Sequence, residues 1–200
     1  MKMVEEKIAT ITIDGKKLLE HTPSNPAPLG LVATGLTLVL LSFTYTGFFP
    51  VNSMILAMVL AFGGTGCLIV GVMENSNGNT FGTLAFGAFG GFWFSFAILS
   101  ILPQLNLASA ANPASLTAYL FMWGIWSAVM FIITLKISRG LQAIFLLITL
   151  LFFILGTGAL TGSSIINIIG GYVGIIVGLL AMYEGLAQVV NEICEMNLPT

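Results

Sequence analysis

Asn25-Pro26-Ala27-Pro28-Leu29-Gly30-Leu31 stands where a polar, charged leader ends and an almost entirely apolar chain begins. An Asn side-chain oxygen can accept a first-turn N–H, so Asn25 is suited to cap a helix. Pro26 and Pro28 suit a first turn, where backbone N–H groups lack partners within the helix. The stretch therefore reads as a helix start at a membrane face. Of the 200 residues, 57% are hydrophobic and only 7% charged, and mean hydropathy is +1.03. A soluble domain would carry about a quarter charged residues. A helical span needs about 20 apolar residues, and the chain after the leader has room for six. The expected fold is an all-α integral membrane protein.

The expected organisation is a cytoplasmic N-terminal tail over 1–24, a six-span domain over 25–192 and a cytoplasmic C-terminal tail over 193–200. The spans are expected near 29–46, 52–73, 81–102, 116–135, 141–160 and 165–190. Residues 74–80 are expected to form a polar loop. In the leader, apolar and Thr residues alternate over Ile8–Ile13, which suggests local order there. The leader lacks the short apolar region and small-residue cleavage site of a signal peptide, so the first span is expected to direct insertion.

Charge placement orients the chain. All six Lys and Arg lie in the leader or in the loop 136–139, and the connections 47–51, 103–114 and 161–164 carry no charge. By the positive-inside rule both termini are expected in the cytoplasm, for a multi-pass protein of the cell (plasma or inner) membrane. Net charge is −2, so bulk charge points to neither nucleic-acid nor acidic partners, and no nucleic-acid partner is expected. Cys67 and Cys194 form no metal or disulfide pattern. His21, the single histidine, is expected to be solvated in the leader.

No nucleotide, metal or nucleophile motif is present, so neither enzyme activity nor a cofactor is expected. Glu74 and Glu184 are expected near the cytoplasmic surface, Glu74 within reach of Lys136 or Arg139. No Lys or Arg falls inside a span. An anion crossing here would depend on helix N-termini, which carry partial positive charge, and on polar groups such as Thr34, Asn79, Thr80, Thr83 and Thr134. Phe86, Phe89 and Phe92 either narrow a pathway or face lipid or core. Gly170, Gly174 and Gly178, and likewise Gly87 and Gly91, form small-residue stripes that let helices approach closely. Asn25-Pro26-Ala27 and Asn112-Pro113-Ala114 precede spans 1 and 4, and Gly90-Gly91-Phe92 parallels Gly170-Gly171-Tyr172, a hint of an inverted repeat.

Several of these segments together resemble one family. Asn25 to Leu31 resembles the hallmark of the acetate uptake transporter family, also called the succinate–acetate permease or GPR1/FUN34/YaaH family. Glu74 followed by Gly78-Asn79-Thr80-Phe81-Gly82 resembles its loop between spans 2 and 3. Phe89-Gly90-Gly91-Phe92-Trp93, Thr134-Leu135-Lys136, Gly171-Tyr172-Val173-Gly174, Tyr183 and Asn191-Glu192 resemble further motifs in the same order.

The resemblance implies a homo-hexamer in the lipid bilayer with a pore through each six-helix subunit. It implies acetate as substrate, with succinate in some members, through a channel-like or proton-coupled pathway. It places a constriction at Thr34, Phe89 and Ile148, where Thr34 replaces the usual aromatic and Phe89 the usual Tyr. It makes Asn25, Pro26, Ala27, Pro28, Leu29 and Gly30 a pore-entrance element, with Glu74, Asn79 and Thr80 as further polar pathway or loop residues. Two other readings compete: a water- or urea-type channel, suggested by the two Asn-Pro-Ala triplets, and a membrane protein that responds to acetate without moving it.

Overall fold

A computed structural model describes residues 24–200 in full and the backbone of residues 8–13 and 16–21. The expectations for the charged leader side chains and for His21 lie outside the described residues. In the leader, β1 (Ile8–Ile13) pairs antiparallel with β2 (Lys16–His21), Ile8 opposite His21 and Ile13 opposite Lys16. Six helices follow, each long and apolar enough to cross a membrane. They are α1 (Ala27–Tyr45), α2 (Ser53–Ser76), α3 (Thr80–Ile101), α4 (Pro113–Thr134), α5 (Arg139–Thr161) and α6 (Ser164–Cys194).

Polar side chains mark where these helices begin. Asn52, Asn79, Asn112, Ser138 and Ser163 each accept an N–H of the first turn of α2 to α6. At α1 the backbone boundary falls at Pro26, whose side chain cannot cap, and Asn25 Oδ1 accepts the Ala27 N–H at 3.1 Å instead. The polar loop expected over 74–80 is shorter than that. Glu74, Asn75 and Ser76 still belong to α2, and the turn is Asn77-Gly78-Asn79, with Gly78 at φ +73°.

Between Val59 and Gly66, α2 winds as a π-helix. Gly63 and Gly64 lie in that segment against Trp93 and Phe94 of α3. A methyl group on Gly63 would lie 3.0 Å from the Trp93 ring and 2.9 Å from the Thr37 methyl.

Glycine lets the other helices meet closely. The stripe on α6 divides between two partners: Gly170 faces Leu155 of α5, while Gly174 and Gly178 face Ser42, Val39 and Gly35 of α1. On α4 and α5 the arrangement is reciprocal. Gly124 lies under Phe153 and Gly156 under Phe121, and the two rings meet edge to face at 5.2 Å. Gly87 and Gly91 differ, since a Cβ at either meets nothing within 4 Å.

Candidate functional site: two cavities in series

Three helices turn one face each towards the centre of the bundle. On α1 that face is Thr34, Leu38, Leu41, Ser42 and Tyr45; on α3 it is Phe89, Phe92, Trp93, Phe96 and Leu99; on α5 it is Ile148, Leu151, Phe152 and Leu155. Each set recurs at three- and four-residue intervals, the spacing of one helical face. With the start of α4, where Leu116, Tyr119 and Leu120 lie, they enclose a cavity of about 260 Å³. Its lining is apolar apart from Trp93 and a few hydroxyls. Phe92 is the centre of its aromatic wall, within 5.1–6.1 Å of Trp93, Tyr119, Trp123 and Phe152. Tyr119 is held by the Ser95 hydroxyl at 2.6 Å.

A second cavity of about 30 Å³ lies nearer the N-terminal ends of the same three helices. Leu31, Phe81, Phe86, Leu141, Ile144 and Phe145 line it, and Ala181 of α6 contributes as well. The two cavities share three lining residues, which are Thr34, Phe89 and Ile148. These side chains therefore form the wall between them. All three are buried, at 6%, 6% and 3% exposure. Phe89 is fixed by Trp126, perpendicular to it at 5.2 Å, and by Phe145 at 5.9 Å. Among the described residues no Lys, Arg, His, Asp or Glu lines either cavity.

The remaining candidate residues are placed differently. Only Leu31 of the 25–31 stretch lines a cavity. Pro26 and Pro28 are buried, Leu29 is 46% exposed, and Gly30 makes room for the Phe86 ring. Ala27 packs on the hydrophobic core. Asn25 is exposed and its amide donates to Gln188 Oε1 at 3.3 Å.

The hydroxyl and amide groups expected to assist an anion mostly bond elsewhere. Thr83 donates to Asn79 O at 2.8 Å and Thr134 to Phe131 O at 2.6 Å. Such bonds to the preceding turn are what helical Thr hydroxyls usually form. Thr80 is exposed. Phe86, Phe89 and Phe92 face the cavities rather than lipid.

The two acidic residues are both enclosed by protein. Glu74 is 2% exposed and takes Asn79 as partner instead of Lys136 or Arg139, its Oε2 accepting the Asn79 amide at 2.7 Å. It folds back onto Gly82, where the missing side chain leaves room, and its Oε1 has no hydrogen-bond partner among the described residues. Asn79 thus serves both Glu74 and the α3 N-terminus, where its Oδ1 accepts the Gly82 N–H at 3.0 Å. Asn79→Ala removes both bonds and strands a buried carboxylate. The expected loss is about 1 kcal/mol for the cap with about 1–3 kcal/mol more for the unpaired group. A thermal melt in detergent measures it, and Asn79→Asp should recover little because it sets a second carboxylate against Glu74. Glu184 is also 2% exposed. Protein encloses it because Gly140 lacks a side chain there, and Gln188 donates to its Oε1 at 3.4 Å.

Sequence reasoning missed Cys67, which lies behind Thr34. Their side chains hydrogen-bond at 3.2 Å, and the Cys67 thiol donates to Gly30 O at 3.8 Å. A lone Cys in an apolar run carries no sequence signal for such a contact. The two Asn-Pro-Ala triplets both open helices of full membrane length. That removes the half-helix arrangement on which the water-channel comparison depends.

Residues 9–197 match the GPR1/FUN34/yaaH family. An uncharacterised protein of Methanothermobacter thermautotrophicus is 49% identical over 182 residues, spanning 88% of this chain and 89% of the relative. The succinate-acetate/proton symporter SatP of Escherichia coli (strain K12) is 39% identical over 169 residues, spanning 84% and 90%. A solved structure of the bacterial acetate channel SatP superimposes with a TM-score of 0.84 at 38% identity, covering 86% of this chain and 94% of the other.

Proposed function

The chain belongs to the GPR1/FUN34/yaaH family, and from that premise we propose that it moves acetate across a membrane through the centre of each subunit. Two cavities in series, meeting at Thr34, Phe89 and Ile148, carry this reading. They adjoin across that shared wall, which would be the waist of such a pathway. The waist and its apolar approaches are steric and dispersive, so binding along the way is weak enough for release. Relatives named for succinate-acetate/proton symport and for an acetate channel support the substrate class.

The same proposal includes a homo-hexamer in the cell membrane with both termini in the cytoplasm. The uncharged connections on one side and the Lys and Arg on the other support the orientation. The bare Gly87 and Gly91 face of α3 would let a neighbouring subunit approach closely. On this arrangement residues 25–31 belong to the cytoplasmic mouth. There Asn25 and Gln188 tie α1 to α6.

Purified protein in liposomes should admit labelled acetate faster than protein-free vesicles, with saturation, and unlabelled acetate should compete. Succinate, larger and doubly charged, should compete less well at a waist this apolar. Acetate entry equal to that of empty vesicles would sink the proposal. Water or urea permeation without acetate entry would favour the neutral-solute reading.

A further inference from the structure

We propose that Glu184 sets a fixed negative charge beside the smaller cavity, at the mouth of the pathway, and that this charge holds back dicarboxylates more than monocarboxylates. This rests on the transport reading above and concerns which carboxylates enter. On this division of labour the waist sorts solutes by size and the mouth sorts them by charge.

Position along the helices places Glu184 there. Ala181 of α6 and Ile144 of α5 both line the smaller cavity. Residues three or four apart are neighbours on one side of a helix. Glu184 therefore lies one turn out from Ala181, and Gly140 one turn out from Ile144, both towards the end where α5 begins. The two positions meet, because the Glu184 carboxylate takes the space that a Gly140 side chain would fill. Gly82 of α3 repeats the arrangement. It stands one turn out from Ala85 and Phe86 of the cavity wall, and it receives the Glu74 side chain. Two carboxylates thus occupy the layer next to the cavity.

Glu184 is 2% exposed, so solvent ions screen it little. Enclosure costs a carboxylate its hydration, and two features offset that cost. The Gln188 amide donates to Oε1 at 3.4 Å. Gly140 is the second residue of α5, so the carboxylate sits against a helix N-terminus and its partial positive charge. The same contact means that this N-terminus already serves the chain's own anion and is not free for a passing one. Lys136 and Arg139 of the adjoining loop are exposed, where solvent screens them.

A solute at the mouth feels Glu184 across protein, where a charge acts several times more strongly than across water. The interaction scales with the charge of the solute. At neutral pH, well above carboxyl pKa values of about 4, acetate and butyrate carry one charge and succinate carries two. Butyrate has the carbon count of succinate, so the pair separates charge from length. Removing one fixed charge should multiply the entry of each monoanion by one common factor, and that of the dianion by about its square.

The test compares wild type with Glu184→Gln and Glu184→Met in liposomes at neutral pH. Initial uptake of labelled acetate, butyrate and succinate is measured well below saturation, with protein-free vesicles subtracted. Every crossing passes the mouth, so the orientation of the protein in the vesicle does not matter. Gln keeps the shape and the acceptor for Gln188, and Met keeps only the length. Both variants should raise acetate and butyrate entry severalfold and equally. Succinate should rise further, by about ninefold where acetate rises by about threefold. Agreement between the two variants assigns the effect to charge rather than to hydrogen bonding, and Glu184→Met also serves if the glutamine variant fails to assemble.

An unchanged succinate-to-acetate ratio in folded variants would overturn the inference. So would succinate and butyrate rising together, which is a change of size selection, or all three rates falling together with the melting temperature, which is a structural role. Each of these leaves acetate transport itself intact. Wild-type acetate entry no faster than in protein-free vesicles would overturn the transport reading and this inference together.

Discussion

Phe89→Ala should raise acetate flux and widen the range of acids that pass. Its ring fills the wall between the two cavities, and Thr34 and Ile148 alone do not replace that volume. Each 1.4 kcal/mol of steric barrier removed is worth about tenfold in rate, so an increase of that order is expected for acetate, and a larger one for succinate. The same change leaves Trp126 and Phe145 without their packing partner. A loss of about 3–5 kcal/mol in stability accompanies deletion of a buried Phe ring. Faster flux with a lower melting temperature is therefore the expected pair of results. Phe89→Tyr should change either one little. Unaltered acetate and succinate rates in a normally assembled alanine variant would show that Phe89 does not set the waist.

The other large effect belongs to the α1–α6 crossing. A Cβ on Gly35 would lie 2.5 Å from Gly178 O, and one on Gly178 would lie 2.7 Å from Gly35 O. The obstruction is backbone on both sides, so no side-chain rotation relieves it. Overpacking a close site costs about 1–3 kcal/mol, and a clash between two backbones should fall at or above the upper end. Gly35→Ala should thus lower the yield of folded protein and its melting temperature together, with acetate flux lost through misplacement of Thr34 on the same helix. Gly91→Ala, whose Cβ meets nothing within 4 Å, should leave the subunit's fold intact. A change in particle mass on size-exclusion chromatography with light scattering would place that face of α3 at a subunit contact. Equal melting temperatures for Gly35→Ala and Gly91→Ala would contradict the crossing described here.

Much of this architecture is legible in the sequence, and for one reason. Lipid demands long apolar segments, so hydropathy alone separates six helices from their connections. Hydropathy is blind to which side of such a helix faces inward, because lipid and core are equally apolar. The inward faces 34–45, 89–99 and 148–155 have helical spacing, yet their neighbours are as hydrophobic as they are. Family resemblance, not periodicity, groups Thr34, Phe89 and Ile148. The structure adds that they line both cavities. For Glu184, the polar residues Gln188, Asn191 and Glu192 indicate a helix end near the membrane surface and carry no signal of its enclosure by protein. Its burial depends on Gly140, more than forty residues away. Asn25 reads correctly as a helix-start residue, but its bond to Gln188 joins the two ends of the six-helix domain.

The π-helical segment Val59–Gly66 gives α2 two angular frames. A π turn holds one residue more than an α turn, and one residue corresponds to about 100° around a helix. Residues before Val59 and after Gly66 therefore do not share a single helical wheel, and a stripe drawn through the whole of α2 would join positions that face different neighbours. Ile55 is enclosed before the segment and Val59 at its start, and Cys67 and Val70 are enclosed after it. Cys67, the first α-helical residue after the wide turns, points at Thr34 because of that offset. Removing one residue between 59 and 66 would tighten the coil and swing the thiol away from α1 with every wall contact left unmutated.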